Sequence, residues 1–413
     1  MIREKKENTM DKEMKLSGYR WVVLLTVCLI CFMANFMQYQ VSAWGVVVMD
    51  TLGIDVAGLT NLMLMPMLTA VFLSIPAGSL ADRYGVKIVV SVGLILSVIG
   101  GFIRFFMIAN FAAQLVAMFL IGCGIACLNA NLAKVLGTWF KQQTSLAMGF
   151  FYAASCVAIV VAQAFSTMFP TLGISYLVAA VALAVTALLW ILFMGNVPKG
   201  ESLPEPEPVI KYLKIAIKSR NVWFIALAYG LTLASTTAYC SILPSALELA
   251  RGVETSVAGS MAAIITVGSF FACFAGPAVV LKLGKNKPFL ILTTIVAAAV
   301  MIVNWFLPLG AIMWVVLVVN GFMTALSGPI IQAMTPDLPE IGVKYAGSAG
   351  GIIGTVGLLC SYFIPVIVST ITGDNWTMNL CVESVLFLLS VVPIALLPET
   401  GIKAKLQQSK QSE

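Results

Sequence analysis

Gly78-Ser79-Leu80-Ala81-Asp82-Arg83-Tyr84-Gly85-Val86-Lys87 is the stretch from which the fold can be read. It sets charges and two glycines between apolar runs at 57–81 and 87–108. Each run exceeds the roughly 20 helical residues needed to cross about 30 Å of hydrocarbon. Segments this long and apolar are helices, because backbone polar groups in lipid must be satisfied within the segment. The decapeptide is therefore a short charged turn between two membrane spans, and glycine supplies the backbone freedom such a turn needs.

Working outward, further runs of the same kind fall at 21–48, 111–135, 144–168, 174–195, 221–248, 256–281, 288–307, 311–335, 345–371 and 377–397. Twelve spans are expected. Of the 413 residues, 60% are hydrophobic and 10% charged, against about 25% charged in a soluble domain. Too little polar surface is available to cover a water-soluble globule. The nine cysteines all lie in apolar stretches and read as small buried hydrophobes, the Cys28–Cys31 pair included. Histidine is absent, which removes Ser-His-Asp catalysis, histidine zinc sites and histidine proton relays. No enzyme, metal site or cofactor is expected. The charged first twenty residues and the long run after them do not fit a cleavable signal peptide.

Orientation follows from the cations. With the N-terminus inside, 22 of the 24 Lys and Arg fall on the cytoplasmic side, and only Arg104 and Arg251 lie outside. This places both termini in the cytoplasm of a cell (inner) membrane protein and accounts for the net charge of +6 without a nucleic-acid partner. The widest interruption, 196–220, holds Glu201, Glu205 and Glu207 among prolines, then a basic segment from Lys211 to Arg220. It divides the chain into a tail (1–20), a six-span bundle (21–195), a cytoplasmic linker, a second bundle (221–397) and a tail (398–413).

The halves are duplicated. Gly85 pairs with Gly284, Gly122 with Gly321 and Ala147 with Ala346, all at one offset of 199. Parallel six-helix repeats carry a pseudo-twofold axis along the membrane normal, with the substrate site between them near the midplane.

Two such repeats joined by a charged loop resemble the major facilitator superfamily, and the decapeptide is similar to that family's G-x-x-x-D-R-x-G-[RK]-[RK] loop. The second copy, around Lys282-Leu283-Gly284-Lys285, has Leu281 in place of Asp82. The resemblance implies alternating access and a latch of Gly78, Asp82, Arg83, Gly85 and Lys87. In it Asp82 meets the positive end of span 11 to hold the cytoplasmic side shut. It also implies that spans 1, 4, 7 and 10 surround the path, with 2, 5, 8 and 11 beside them. On span 1, Asn35, Gln38, Tyr39 and Ser42 share one face; on span 7, Thr232, Ser235, Thr236 and Tyr239 do so. Asn129, Tyr152, Ser155, Asn320 and Thr324 complete the candidates. Such residues also serve simply to bind helices together.

Charge within the spans, the usual pointer to coupling, is scarce. Arg104 and Lys134 are expected near the two interfaces, and Glu383 in an ion pair or snorkelling from span 12. The arginine of many proton-driven members is replaced by Met118, and the Gly-Pro signature of drug exporters is missing from span 5. Gly137-Thr138-Trp139-Phe140…Leu146-Ala147-Met148-Gly149 is similar to a stretch in nitrate/nitrite, oxalate–formate and monocarboxylate carriers. The leading expectation is a monomeric carrier of a small organic solute, an anion first. A neutral, zwitterionic or quaternary-ammonium solute, held by Phe36, Tyr39, Trp44 and Tyr239, stays open. So does a membrane sensor that moves nothing.

Overall fold

The computed structural model describes residues 18–140, 144–195, 215–335, 338 and 340–400, and twelve of its helices are long and apolar enough to span a membrane. They are α1 (Arg20–Ala43, continued by Gly45–Leu52), α2 (Val56–Tyr84), α3 (Val86–Phe106), α4 (Phe111–Phe140), α5 (Thr144–Phe165) and α6 (Leu172–Phe193). The second six are α7 (Arg220–Arg251), α8 (Thr255–Leu283), α9 (Lys287–Phe306), α10 (Ala311–Ala325, continued by Ser327–Ala333), α11 (Gly342–Thr372) and α12 (Trp376–Leu389, continued by Val391–Leu396). Every expected span is present as helix. Most of the expected linker, 196–214, and the tails before Gly18 and after Thr400 lie outside the described residues.

Successive spans run in opposite directions, so α1 begins and α12 ends on one face, here the terminal face. Several helices that start on the far face open with a capping side chain. Asp55 accepts from the Gly58 N–H at 2.8 Å, Asn110 from Ala113 at 3.0 Å and Asn375 from Met378 at 3.0 Å. These caps satisfy N–H groups that the helix leaves free. Pro66, Pro76, Pro244 and Pro365 sit inside helices, as neighbouring membrane helices allow. α1 breaks at Trp44, whose indole N–H donates to the Ser166 carbonyl at 3.0 Å.

The repeat is physical. A Cβ on Gly122 of α4 would come within 2.8 Å of the Pro66 Cα on α2, and one on Gly321 of α10 within 1.7 Å of the Ile265 carbonyl on α8. The second pair is the first displaced by 199. Glycine is required at both, because only its absent side chain lets the two backbones approach this closely. On α1, Ser42 donates to the carbonyl of Ser241 on α7, a residue 199 positions on. A residue bonded to its own repeat-mate lies beside the pseudo-twofold axis, which therefore passes between α1 and α7.

Packing across that axis is one-sided. The main apolar core runs without interruption from Leu62, Met63 and Ile121 of the first bundle into Leu243, Met261 and Trp305 of the second. The terminal half of the second bundle has a separate core of Val222, Leu290, Ile330 and Ile394. Large apolar side chains such as Ile95, Leu188, Ile312 and Phe363 stand on the outside, where lipid is their solvent.

Candidate functional site

The bundles are closed over the far face. Thr60 of α2 and Ser369 of α11 share a hydroxyl hydrogen bond of 3.0 Å, and Tyr362 of α11 donates to the Asn61 side chain at 2.5 Å. Gln163 of α5 donates to the Cys240 carbonyl of α7 at 3.1 Å. Gly45 lies so close to α7 that a Cβ would strike the Ser245 Oγ at 2.1 Å, and Gly259 of α8 approaches the Gln163 carbonyl at 2.2 Å. All of these residues belong to the far halves of their helices.

Toward the terminal face the helices part. Asn129 of α4 and Tyr152 of α5 are exposed, Tyr152 by 58%, although both sit within their spans. Polar side chains at that depth belong against water or protein rather than lipid. Gly137, Gly149, Gly350, Gly351 and Gly354 meet nothing within 4 Å of a would-be Cβ. The arrangement is a cleft closed at the far side and open at the terminal side.

At its apex lies α1. Gln38 is 8% exposed and its Nε2 has no acceptor among the described residues. Tyr39 is buried within electrostatic reach of Cys156 on α5 and Cys240 on α7, so both bundles meet around its ring. Asn35, one turn below, turns back on its own helix and donates to the Cys31 carbonyl at 2.8 Å. Ser42 is spent on the far-side closure. Of the four polar positions on α1, Gln38 has the amide still lacking an acceptor.

The face expected on α7 divides. Thr232 donates to the Ala228 carbonyl at 3.1 Å and Thr236 to the Thr232 carbonyl at 2.8 Å, so both hydroxyls are held by their own helix. Tyr239 points away from the cleft into the second bundle. There its hydroxyl donates to Met301 O at 3.0 Å and accepts from Asn304 Nδ2 at 3.2 Å. Asn320 of α10 is buried beside the tight Gly321 crossing, its Nδ2 without a partner among the described residues. Tyr229 of α7 was not among the sequence candidates. It lies within reach of Tyr152 across the cleft, bonds to Gln332 of α10, and covers Gly357 of α11. The signal was available, since Tyr229, Thr232 and Thr236 form one stripe extended by a turn.

Of the charged candidates, Glu383 differs from expectation. Arg104 is 1% exposed, packed within the first bundle in the last turn of α3 near the far face. Glu383 is fully buried on α12 and neither snorkels nor pairs with a cation among the described residues. Ser235 of α7 is the polar side chain that bears on it. α12 packs against α7 and α9, so its inner face is bundle interior, which places Glu383 there. Lys134 is half-buried on α4, its carbonyl accepting from Thr138 at 2.7 Å.

In the loop between α2 and α3, Gly85 is buried with φ +87° and ψ 147°, ending one helix and starting the next. Its mate Gly284 has φ +70° and ψ 12°. Arg83 is exposed and stacks on Tyr84, 5.2 Å from the ring centroid. Lys87 is half-buried, its carbonyl accepting from the Trp190 indole at 3.4 Å. A Cβ on Gly78 would meet nothing within 4 Å. The Asp82 side chain and those of 342–348 at the start of α11 lie outside the described residues.

Among known proteins, the chain is similar to the probable galactarate/D-glucarate transporter GudP of Bacillus subtilis, 22% identical over 88% of each chain. It is also similar to the nitrite extrusion protein of the same organism, 25% identical over 74% of this chain and 76% of that one. Its fold matches a bacterial homologue of the human lysosomal transporter Spinster, solved inward-facing and unoccupied, with a TM-score of 0.68 and 15% identity over 92% and 95% of the two chains. The family described as the Major Facilitator Superfamily matches residues 24–405, and with twelve spans in two repeat-related bundles the chain belongs to it: a membrane transporter, not an enzyme.

Proposed function

We propose that the chain carries a small organic anion across the cytoplasmic membrane by alternating access, the two bundles rocking about the axis between α1 and α7. The distribution of Lys and Arg makes the terminal face cytoplasmic, so the cleft opens inward. The observation that carries the substrate class is Gln38. Its buried amide nitrogen lacks an acceptor at the point where the bundles meet, and a buried donor is stabilised by an incoming acceptor oxygen. A carboxylate supplies such oxygens; a quaternary ammonium group does not. Two relatives named for galactarate/D-glucarate and for nitrite support an oxyanion.

Counterflow tests this reading. Purified protein in liposomes, preloaded with galactarate or a small mono- or dicarboxylate, is expected to accumulate the same labelled anion. Gln38→Leu should slow exchange about 10-fold or more, the equivalent of one lost hydrogen bond to a charged group. Exchange of choline-like amines in place of every anion offered would overturn the substrate class. Exchange of neither would count against transport of small organic ions.

A further inference from the structure

The guanidinium of Arg104 is buried inside the first bundle and held on two of its three sides. Its Nη1 donates to the Met37 carbonyl at 3.0 Å and to Gln40 Oε1 at 3.2 Å, and its carbon lies 3.6 Å from the centre of the Tyr176 ring. Gln40 is itself fixed, donating to Ser175 Oγ at 2.7 Å and to Ser175 O at 3.0 Å. The third side, the edge carrying Nε and Nη2, is buried and makes no close hydrogen bond among the described residues, the Tyr176 hydroxyl being the side-chain group that bears on the guanidinium. That edge presents two parallel N–H groups, the fork with which arginine grips anions.

An arginine keeps its charge at any ordinary pH, and no carboxylate pairs with this one among the described residues. A carbonyl, an amide oxygen and an aromatic face supply partial charges, whereas a buried full charge calls for a full counter-charge. Arg251, the other arginine near the far face, shows the ordinary solution. It is half-buried, its Nη1 and Nη2 reaching the Trp305 and Leu307 carbonyls at 3.1 and 2.6 Å. The repeat shows another. Tyr239, the mate of Gln40, pairs with the neutral Asn304 at 3.2 Å, and the ionisable group buried on α12 in that bundle is an acid, Glu383. The unbalanced cation belongs to the first bundle alone.

We propose that Arg104 binds a small inorganic anion of chloride size on its Nε–Nη2 edge, between α1, α3 and α6, apart from the translocation path. Size follows from packing. One turn away, a Cβ on Gly101 would already lie 3.2 Å from Ala180 and 3.3 Å from the Met37 methyl, close packing that favours a small ion over an organic solute. Separation from the path follows from helix geometry. Gln40 turns toward Ser175 of α6 while Tyr39 faces Cys156 and Cys240. The far face is the nearer one, α3 ending two residues beyond Arg104. The bound ion would brace the segment of α1 that carries Ser42 and Gly45, the residues that close the far side.

Thermal unfolding of the purified full-length protein in sodium chloride, against sodium methanesulfonate (bulkier than chloride and not a carboxylate) at equal ionic strength, tests the site. A saturable rise of about 2–5 °C is expected in chloride and in bromide. It should be lost in Arg104→Lys, which keeps the charge without the fork, and kept in Gln38→Leu. Equal melting in the two salts overturns the proposal, a water molecule then being sufficient. A rise lost in Gln38→Leu and kept in Arg104→Lys also overturns it, by placing the anion in the transport path, and that outcome would favour the anion reading of the substrate. Should Arg104→Lys fail to fold, anomalous scattering from wild-type crystals in bromide decides. A peak within about 3.5 Å of Nε and Nη2 supports the site, and its absence rejects it.

Discussion

Two glycines that look equivalent in the sequence do different work. Gly85 has φ +87° with ψ 147°, a region open in practice to glycine alone, whereas Gly284 has φ +70° with ψ 12°, close to the left-handed helical region that asparagine also visits. The first copy of the loop turns α2 into α3 through Gly85 alone; the second places Gly284, Lys285 and Asn286 between α8 and α9. Gly85→Asn is therefore expected to cost about 1–3 kcal/mol, and Gly284→Asn less than about 1 kcal/mol. Both are read as shifts in the melting midpoint of purified protein. Equal losses would mean that the backbone at Gly85 relaxes. Glu383 teaches a related lesson at the same scale. An acid in a span invites a partner cation, but here α12 packs against α7 and α9, and the Ser235 hydroxyl of α7 bears on the carboxyl.

At the terminal face a carboxylate ties the start of α7 to the turn before α11. Glu340, between α10 and α11, accepts from Ser219 Oγ and Asn221 Nδ2, both at 2.8 Å, at the start of α7. Burial alone would raise its pKa. Its own backbone N–H, with Ser219 and Asn221, outweighs burial and holds the carboxyl below the usual carboxylate range. The folded chain thus takes up this proton less readily than the unfolded one. The stability Glu340 contributes is complete above the ordinary glutamate value of about 4.3 and is lost as pH falls below it. Melting midpoints of wild type and Glu340→Gln should therefore converge between about pH 4.5 and pH 3; a gap that stays constant over that window would assign the clamp to uncharged contacts. At this scale the sequence was highly legible. Apolar run length alone placed all twelve spans, because the hydrocarbon sets their length. It did not show the breaks at Trp44, Leu326 and Ser390, which depend on tertiary contacts such as the Trp44 indole on Ser166. Nor did it show which way each polar face turns. One residue rotates a side chain by about 100°, enough to send Tyr39 to the axis and Tyr239, one position past its mate, into the second bundle.

For the whole molecule, the repeat offset was visible in three sequence landmarks, and the axis it implies is where Ser42 meets Ser241. What one sequence could not reveal is which side of the axis is closed, since both closures use the same residues in different contacts. The closed side gives the sharpest test of rocking. Thr60 and Ser369 hold their hydroxyl oxygens 3.0 Å apart across α2 and α11, near enough that a cysteine pair there can reach the S–S distance of about 2.05 Å with little backbone movement. In Thr60→Cys/Ser369→Cys the far side is expected to lock on oxidation, stopping exchange in liposomes at least about 10-fold, with recovery on adding a reductant. Natural Cys31, Cys123, Cys127 and Cys240 are buried and free, and Cys28, Cys156, Cys360 and Cys381 are half-buried and free, so the unmodified protein taken through the same treatment is the control. Substrate binding measured from the terminal side should survive the cross-link, because the cleft on that side stays open. Loss of exchange with binding retained is the signature of a carrier whose far gate must open once per cycle. Undiminished exchange in a demonstrably cross-linked protein would mean that solute leaves by a route that does not separate α2 from α11.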